Sequence, residues 1–254
     1  MDTHLSERQR TERDYHDRIN RDSSSPRRET GGNSLAYEVY WNLIGAVEGL
    51  SVLDFGCGNG WLSIWLAKNG ARVCGMDISR ELVKKAVKAA EKAGVNGAAA
   101  FKVMAAENLS FPDNSFDLII GSAILHHTDI VPTLKHIHRT LRPGGRAIFI
   151  EPMNQNIVLR FWRRLTPWRR SPTERALKTE DLDCVRSVFN DADFHFFGLT
   201  SIFTKGLLIA FPKNRPLASA NRLLERLDVA LLRPLPFLGK FSAVTVLVLH
   251  KKQS

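Results

Sequence analysis

Apolar and polar residues alternate along the middle of the chain in a pattern that predicts strands and helices in turn. Short apolar runs rich in Val, Ile, Leu and Phe predict five strands, near 51–55, 72–77, 100–104, 116–121 and 145–151. Apolar residues at helical spacing predict helices between them, near 60–69, 79–94 and 130–141. Strands that alternate with helices form parallel sheets with right-handed crossovers, so the pattern predicts an α/β fold built on a doubly wound parallel sheet.

The residues on either side of this alternation follow other patterns. Residues 1–33 are polar; 6–19 fit a charged helix, and the Ser-, Pro- and Arg-rich stretch 23–28 predicts a linker or a disordered segment. Five further elements are predicted outside the alternating region: an amphipathic helix at 34–48, a capped helix at 179–190, strands at 194–202 and 243–250, and an amphipathic helix at 221–232.

A glycine-rich loop follows the first predicted strand. Residues 52–60 read Val-Leu-Asp-Phe-Gly-Cys-Gly-Asn-Gly, with Asp54 two residues ahead of the first glycine. Such a loop lets a ligand lie against bare backbone, close to the N–H groups of the helix that follows. A dinucleotide loop needs a third glycine where this chain has Trp61, so the spacing disfavours a dinucleotide.

An acidic residue, Asp77, ends the second predicted strand. It lies about twenty residues past the glycine loop, where an acidic side chain binds ribose hydroxyls in nucleotide-binding βαβ units. A carboxylate at this place can accept hydrogen bonds from both hydroxyls of one ribose. The alternative is that Asp77 caps the next helix, a role that Ser79 could also fill.

Together with residues 105–121, 122–127 and 141–152, these motifs resemble the ordered motifs of class I S-adenosylmethionine-dependent methyltransferases. The resemblance is to the small-molecule branch, which includes ubiquinone/menaquinone-type and natural-product methyltransferases. It covers roughly residues 34–152. It implies a Rossmann-like, mostly parallel seven-stranded sheet with an antiparallel C-terminal strand, and lid insertions over the acceptor at 153–178 and 203–241.

The resemblance also divides the chain into three parts. Residues 1–33 would form a polar N-terminal arm, residues 34–152 the cofactor-binding core, and residues 153–254 a basic part that completes the sheet. In related methyltransferases an N-terminal helix closes over the cofactor, and an aromatic side chain near this place touches it. Tyr15 would fill that role here; a solvated arm with a chance tyrosine is the alternative.

The cofactor implied by the resemblance is S-adenosylmethionine. The positions that it assigns to the cofactor site are Asp54, Gly56, Cys57, Gly58, Asn59, Gly60, Asp77, Ile78, Ala105, Ala106, Glu107, Ser122 and Tyr15. One of them departs from the family, which often has an aspartate at the position of Ala105 to bind the adenine amino group. Backbone, Glu107 or water must contact that edge of the adenine in this chain.

Two histidines, His126 and His127, follow the fourth predicted strand and so lie at the mouth of the expected crevice. A hydroxyl acceptor must lose a proton during methyl transfer, and a histidine titrates near neutrality. We expect one of the two to act as general base or to orient the acceptor; the alternative is that they brace the loop. Glu151 ends the fifth strand at the same crevice, where it could orient an acceptor or a lid arginine.

The positive charge is concentrated at the C-terminal end. Residues 153–254 hold seventeen Lys/Arg and eight Asp/Glu, a net +9 of the formal +10 of the chain. Segment 156–170 interleaves Trp162 and Trp168 with five arginines. This segment would bind an anionic head group of a lipid-linked or nucleotide-linked acceptor, or lie on an acidic membrane surface. An ordinary solvated lid is the third interpretation.

We therefore expect a methyltransferase that acts on a small-molecule or lipid-linked acceptor. RNA methylation and a cofactor-binding protein without catalysis are the alternatives, and the first lacks a recognisable RNA-binding module, so nucleic acid is not the expected partner. The three cysteines have no metal-ligand spacing and are odd in number, which favours a reducing cytoplasm and no metal. The polar N-terminus predicts no signal peptide, and the expected location is cytoplasmic, with the inner membrane face as a peripheral option.

Overall fold

The computed structural model describes residues 5–21, 34–166, 171–211 and 213–253; the linker expected at 23–28 lies outside them. The strands are β1 Ser51–Phe55, β2 Arg72–Asp77, β3 Ala99–Val103, β4 Phe116–Ser122, β5 Leu141–Pro152, β6 Asp191–Phe197 and β7 Val244–His250. They form one sheet in the order β3-β2-β1-β4-β5-β7-β6. Strands β1 to β5 pair in parallel, and β7 runs antiparallel to β5 and β6. The predicted fold class is confirmed.

Helices cover both faces of this sheet. They are α1 Glu7–Arg21, α2 Leu35–Ile44, α3 Trp61–Lys68, α4 Arg80–Lys92, α5 Ile130–Thr140, α6 Ile157–Leu165, α7 Thr179–Val188, α8 Ile202–Ala210 and α9 Arg215–Leu232. Two short 3₁₀ helices, Leu125–His127 and Pro236–Phe241, complete the set of helical elements named here. Helices α6, α8 and α9 fall in the basic C-terminal part.

The core lies on both faces of the sheet because successive strand residues point to opposite sides. On one face the rings of Phe55 and Phe149 meet edge to face, with centroids 5.9 Å apart. On the other face Val52 and Ile148 pack in one buried cluster with Tyr40 of α2. Both the even-numbered and the odd-numbered positions of these strands are therefore buried, which explains why the strands are almost continuously hydrophobic in sequence.

One predicted strand was partly wrong. Strand β6 begins three residues before the predicted start at 194 and stops at Phe197, rather than continuing to 202. Gly198 follows with a φ of +75°, which turns the chain out of the sheet. The Asp228 carboxylate then accepts hydrogen bonds from the backbone N–H groups of Thr200 and Ser201, so this stretch leads into helix α8.

The strand order places a crevice at the carboxyl ends of β1 and β4. The chain runs from β1 to β3 on one side of the sheet and from β4 onward on the other, so β1 and β4 flank the point where the order reverses. Ligands of doubly wound folds bind outside the strands at this point. The glycine loop after β1, Asp77 at the end of β2 and Ser122 at the end of β4 all border it.

Candidate cofactor and catalytic site

A cavity of about 530 Å³ opens at the carboxyl ends of the strands. It is lined by ten of the residues that the sequence analysis selected: Gly56, Cys57, Gly58, Asn59, Asp77, Ile78, Ala106, Glu107, Ser122 and His127. These residues come from segments far apart in the chain, and the sheet brings them together. The volume falls within the range of about 300–1,000 Å³ that is usual for sites of small molecules and cofactors.

The glycine turn exposes backbone to this cavity. Gly56 has a φ of +76°, and a Cβ there would lie 2.6 Å from the Ile124 side chain. Gly58 has a φ of +54° and open space where a Cβ would be. Both conformations favour glycine, because L-residues with side chains rarely adopt positive φ. The turn therefore leaves room for a ligand to approach the main chain.

Asp77 faces the cavity with its carboxylate held by backbone. The N–H of Gly58 donates to Oδ2 at 3.0 Å, and the N–H of Ser79 donates to Oδ1 at 2.8 Å. Burial raises the pKa of Asp77, although these two bonds and nearby histidines oppose the rise. The helix-cap role belongs to Ser79, whose hydroxyl accepts the N–H of Leu82. Each Asp77 oxygen keeps a second lone pair for a ligand hydroxyl.

Replacing Asp77 with asparagine should weaken binding of S-adenosylhomocysteine about thirtyfold. The change removes the charge from hydrogen bonds that we assign to ribose, and one charged hydrogen bond contributes roughly 2 kcal/mol. Isothermal titration calorimetry measures the affinity. Asp117→Asn is the matched control, because that carboxylate also accepts a backbone N–H, from Ser51, but at the opposite end of the sheet. Equal affinity of the two variants would remove Asp77 from the ligand site.

The other selected residues lie outside the lining of the cavity. These are Asp54, Gly60, Ala105, His126 and Tyr15. Asp54 is buried and accepts a hydrogen bond from the Ser63 hydroxyl at 2.5 Å. Tyr15 meets the ring of its neighbour His16 edge to face, and it is His16 that reaches the cavity. The assignments of all five residues stay predictions.

Helix α1 closes one side of the cavity. Its residues Arg8, Gln9, Glu12, His16 and Asn20 are part of the lining. The Arg8 guanidinium donates to the Glu107 carboxylate and to the carbonyl of His127. The Gln9 amide donates to the second Glu107 oxygen at 2.6 Å. The N-terminal arm is thus bound to the core by charged hydrogen bonds at the mouth of the site.

The centre of this contact is Glu12, which is 3% exposed. Its Oε1 accepts hydrogen bonds from the hydroxyls of Ser171 at 2.6 Å and Thr173 at 2.5 Å. Its Oε2 lies 3.2 Å from Nδ1 of His127 and 3.7 Å from Nε2 of His16. Glu12 therefore joins the arm, the loop after β4 and the segment after α6 in one polar cluster.

The protonation of this pair is set by the close contact. Burial opposes the charge on Glu12, but the hydrogen bond and charge of His127, with the two hydroxyls, outweigh it and lower the pKa of Glu12 to about 2. Burial likewise opposes the charge on His127, but Glu12, Glu174 and Glu151 outweigh it and raise the His127 pKa above its usual value. A donor at Nδ1 of His127 satisfies the ionised Glu12 carboxylate, and in the neutral form of this ring Nε2 carries no proton.

His126 has a different environment. It is buried, and its Nδ1 lies 2.7 Å from Oε2 of Glu151. Oε1 of Glu151 accepts the backbone N–H groups of Ile124 and Leu125 at 2.8 Å each. Glu151 and His126 therefore brace the loop that carries His127, and of the two histidines only His127 lines the cavity.

Glu12 is a residue of the site that the sequence did not predict. Its partners other than His16 lie more than a hundred positions away in the chain; His127, for example, is 115 residues away. The available signal was the spacing of Glu12 and His16, which puts both side chains on one face of the predicted arm helix. Glu12, His16 and His127 have ligand atoms within 4.8 Å of one another, so the expectation that the chain binds no metal stays a prediction.

A second cavity is linked to the first by a hydrogen bond between residues of their linings. It is lined by Arg163, Arg164, Arg175, Glu174 and Ser171 among others, and the Ser171 hydroxyl donates to Glu12, which lines the first cavity. Arg163 pairs with Glu174 at 2.8 Å, and Arg175 pairs with Asp181.

Arg164 is exposed and makes no ion pair with any residue that the structure describes. The second cavity thus has an arginine available for an anionic ligand.

Comparison with known proteins matches residues 53–149 to a family described as a methyltransferase domain. Over 97 residues the chain is 40% identical to 27-O-demethylrifamycin SV methyltransferase of Amycolatopsis mediterranei. This alignment covers 37% of this chain and 36% of that protein. Over 131 residues it is 34% identical to demethylmenaquinone methyltransferase of Chlorobaculum parvum, covering 47% of this chain and 52% of that protein. The chain spans about half or less of the length of these relatives.

Solved structures share the fold at lower identity. Phosphoethanolamine N-methyltransferase 2 of Haemonchus contortus, in complex with S-adenosyl-L-methionine, superposes with a TM-score of 0.61 at 17% identity. The match covers 88% of this chain and 55% of that one. None of the described helices combines the length and the apolar character needed to cross a bilayer.

Proposed function

We propose that this chain methylates a hydroxyl group of a small or lipid-linked acceptor. The proposal starts from its membership in the class I S-adenosylmethionine-dependent methyltransferases of the small-molecule branch. The observation that carries the proposal is the position of His127. Its side chain lines the cavity and is held by a buried carboxylate, Glu12, at 3.2 Å. A histidine oriented in this way is suited to remove a proton from a hydroxyl.

S-adenosylmethionine is the cofactor of this family, and the residues present fit it. The glycine turn offers backbone to its methionine end, and the Asp77 carboxylate offers acceptors for the ribose hydroxyls. Glu107 and Ala106 line the cavity and would contact the adenine edge that an aspartate often binds in the family. When bound, the cofactor supplies an electrophilic methyl group on a sulfonium centre.

His127 performs the proton transfer in this proposal. The acceptor O–H bond would break as its proton moves to Nε2 of His127. The cofactor would supply the methyl group that the oxygen takes up, and its sulfur would keep the electron pair of the broken carbon–sulfur bond as a neutral thioether. Glu12 holds the ring through Nδ1 and stabilises the imidazolium that results. Arg8 and Gln9 hold the arm on the core through Glu107, so that the arm lies along one side of the site.

The acceptor enters, in this proposal, through the second cavity. Arg164 would bind its anionic group, as the sequence suggested for segment 156–170. The contacts of Ser171 and His127 with the same carboxylate, Glu12, connect this cavity to the base. Named relatives act in ubiquinone biosynthesis and on demethylmenaquinone, which makes prenylated phenols and quinols the leading acceptor class. Residues 167–170 of that segment, with Trp168, lie outside the described residues. Contact of the described part, 156–166, with a membrane surface would give such acceptors a route to the site.

The test is a panel of hydroxylated acceptors with methyl-labelled cofactor. Prenylated phenols, phosphorylated phenols and neutral polyketides are compared by label transfer. Turnover with the prenylated or phosphorylated phenols supports the proposal. Absence of label in every phenol, with label in an amine or an RNA added in parallel, would overturn it.

Substitutions of two arginines of helix α6 distinguish an effect on acceptor binding from an effect on the methyl-transfer step. Arg164→Gln should raise the KM for an anionic acceptor about tenfold and leave kcat within a factor of two, because a charged hydrogen bond of about 1.5 kcal/mol is lost. Arg160→Gln is the control, since Arg160 lies on the same helix, is exposed, and does not line the second cavity. Identical KM values for the two variants would exclude Arg164 from the acceptor site.

A further inference from the structure

Three helices of the C-terminal part carry apolar stripes on the outside of the protein. Their members are exposed residues spaced four apart: Ile157, Phe161 and Leu165 on α6; Phe203, Leu207 and Phe211 on and just after α8; Leu223, Leu227 and Leu231 on α9. Residues at this spacing share one face of a helix. Ile157 is 79% exposed and Leu223 is 60% exposed, so these side chains lie in solvent rather than in the core.

Helix α9 is inverted relative to an ordinary surface helix. Its buried side chains include Asn221, Glu225 and Asp228. The Thr204 hydroxyl donates to Asn221 at 2.8 Å, and the backbone N–H of Leu35 donates to Glu225 at 3.2 Å. A surface helix normally buries its apolar face and exposes its polar one. Here the polar groups are bound to the protein and the leucines face outward.

The same region is positively charged on its outer side. Segments 157–166 and 202–241 contain ten Lys/Arg and two Asp/Glu. The two acidic residues are Glu225 and Asp228, and both are buried. Arg222 and Arg226 are exposed immediately beside the leucines of α9. Helix α8 packs against both α6 and α9, and α9 packs against the 3₁₀ helix that exposes Phe237 and Phe241.

We propose that this surface, formed by α6, α8, α9 and the 3₁₀ helix Pro236–Phe241, docks on an anionic lipid bilayer. Apolar and aromatic side chains flanked by arginine and lysine are the combination that inserts between lipid head groups and binds their negative charge. A second copy of the chain is a poorer occupant, because two such surfaces would face each other with like charge and no exposed acidic partner among these elements. Arg164 of α6 lines the second cavity. The inference thus deepens the proposed function by placing a lipid source beside the acceptor entrance.

Vesicle co-sedimentation of the full chain tests the docking. Vesicles of phosphatidylcholine alone are compared with vesicles that contain a third phosphatidylglycerol. We expect binding to the anionic vesicles at least tenfold stronger than to the neutral ones, falling steeply as salt is raised. Binding equal on both lipids, or absent from both, would overturn the inference.

Two variants locate the contact. In the first, Leu223, Leu227 and Leu231 become glutamine, which keeps helix propensity and should lower vesicle binding more than tenfold. In the second, Arg222→Gln and Arg226→Gln together should lower it about thirtyfold, at about 1 kcal/mol per basic residue near an anionic surface. If either variant binds like the unmodified chain, α9 is not in contact with the lipid.

The matched controls alter exposed residues of the core helices. Val87→Gln with Val131→Gln replaces exposed valines of α4 and α5, and Lys88→Gln with Lys92→Gln removes exposed charges of α4. Both controls should bind vesicles like the unmodified chain. Light scattering without lipid measures whether the chain forms a dimer. A dimer that the leucine substitutions abolish would assign the surface to a second copy of the chain and overturn the inference. Binding of S-adenosylhomocysteine, measured on the same samples, separates failure of the docking from failure of the proposed function.

Discussion

Replacing His127 with glutamine should lower kcat for the hydroxyl acceptor by two to four orders of magnitude, because glutamine occupies similar space but cannot accept the proton. His127 lines the cavity and is oriented by Glu12. The variant should bind S-adenosylhomocysteine with an affinity within about threefold of the unmodified chain, since the cofactor contacts assigned to Asp77 and the glycine turn remain. Label transfer from the methyl-labelled cofactor, at saturating acceptor, measures the effect.

His126→Gln is the control for this substitution. His126 is buried against Glu151, and a glutamine there keeps a donor for that carboxylate. We expect less than a tenfold loss of kcat, because His126 braces the loop and does not face the reacting groups. A smaller loss at position 127 than at position 126 would transfer the role of base to His126. Unchanged kcat in both variants would end the general-base hypothesis.

The pH dependence of turnover follows from the raised pKa of His127. The base acts in its neutral form, so kcat should rise with pH through a midpoint above the ordinary histidine value of about 6.5. Glu12→Gln removes the hydrogen-bonded negative charge that raises this pKa, so its midpoint should lie at lower pH. A midpoint that does not move would show that Glu12 does not contact the base during catalysis.

The second large effect that we expect is on the docking of the N-terminal arm, helix α1, against the core. Glu12→Gln should increase the rate of tryptic cleavage after Arg13 roughly a hundredfold at neutral pH, because cleavage inside α1 requires the helix to leave the core. The lowering of the Glu12 pKa from 4.5 to about 2 corresponds to about 3 kcal/mol of interaction in the closed state. Mass spectrometry follows the cleavage at this one bond. Glu7→Gln changes an exposed glutamate at the start of the same helix and is the control.

The sign of the pH effect on arm closure is set by the two groups together. Glu12 has a lowered pKa, so its stabilisation is present above about 4.5 and is lost as pH falls toward about 2. His127 has a raised pKa, so its stabilisation is present below about 6.5 and is lost as pH rises through the raised value. Closure should therefore be tightest between about pH 4.5 and 6.5. Equal cleavage of Glu12→Gln and the unmodified chain across this range would contradict the arm contact.

The sequence predicts the sheet well because its signals are local. Each parallel strand is a continuous apolar run, and the loop of Gly56 and Gly58 has a backbone conformation that few other residues adopt. The position of Asp77 follows from the strand that ends there. The family resemblance drawn from these motifs is confirmed by the match of residues 53–149 to a methyltransferase domain.

The parts that the sequence predicts poorly depend on contacts between distant segments. Glu12 acquires its role from Ser171, Thr173 and His127, and no local pattern marks it. The end of β6 at Phe197 depends on Asp228 of a later helix, which binds the backbone of the residues that were expected to extend the strand.

Helix α9 illustrates the same difficulty in another form. Its periodicity predicts an amphipathic helix correctly, but periodicity alone does not tell which face is buried. The protein buries Asn221, Glu225 and Asp228 and leaves the leucines outside.

The most direct test of the account is a crystal structure of the chain with S-adenosylhomocysteine. We expect the ligand in the cavity of about 530 Å³, with its amino-acid end against the Gly56–Gly58 backbone and its ribose hydroxyls within hydrogen-bond distance of the Asp77 carboxylate. Density for the ligand elsewhere, or a ribose that makes no contact with Asp77, would contradict it.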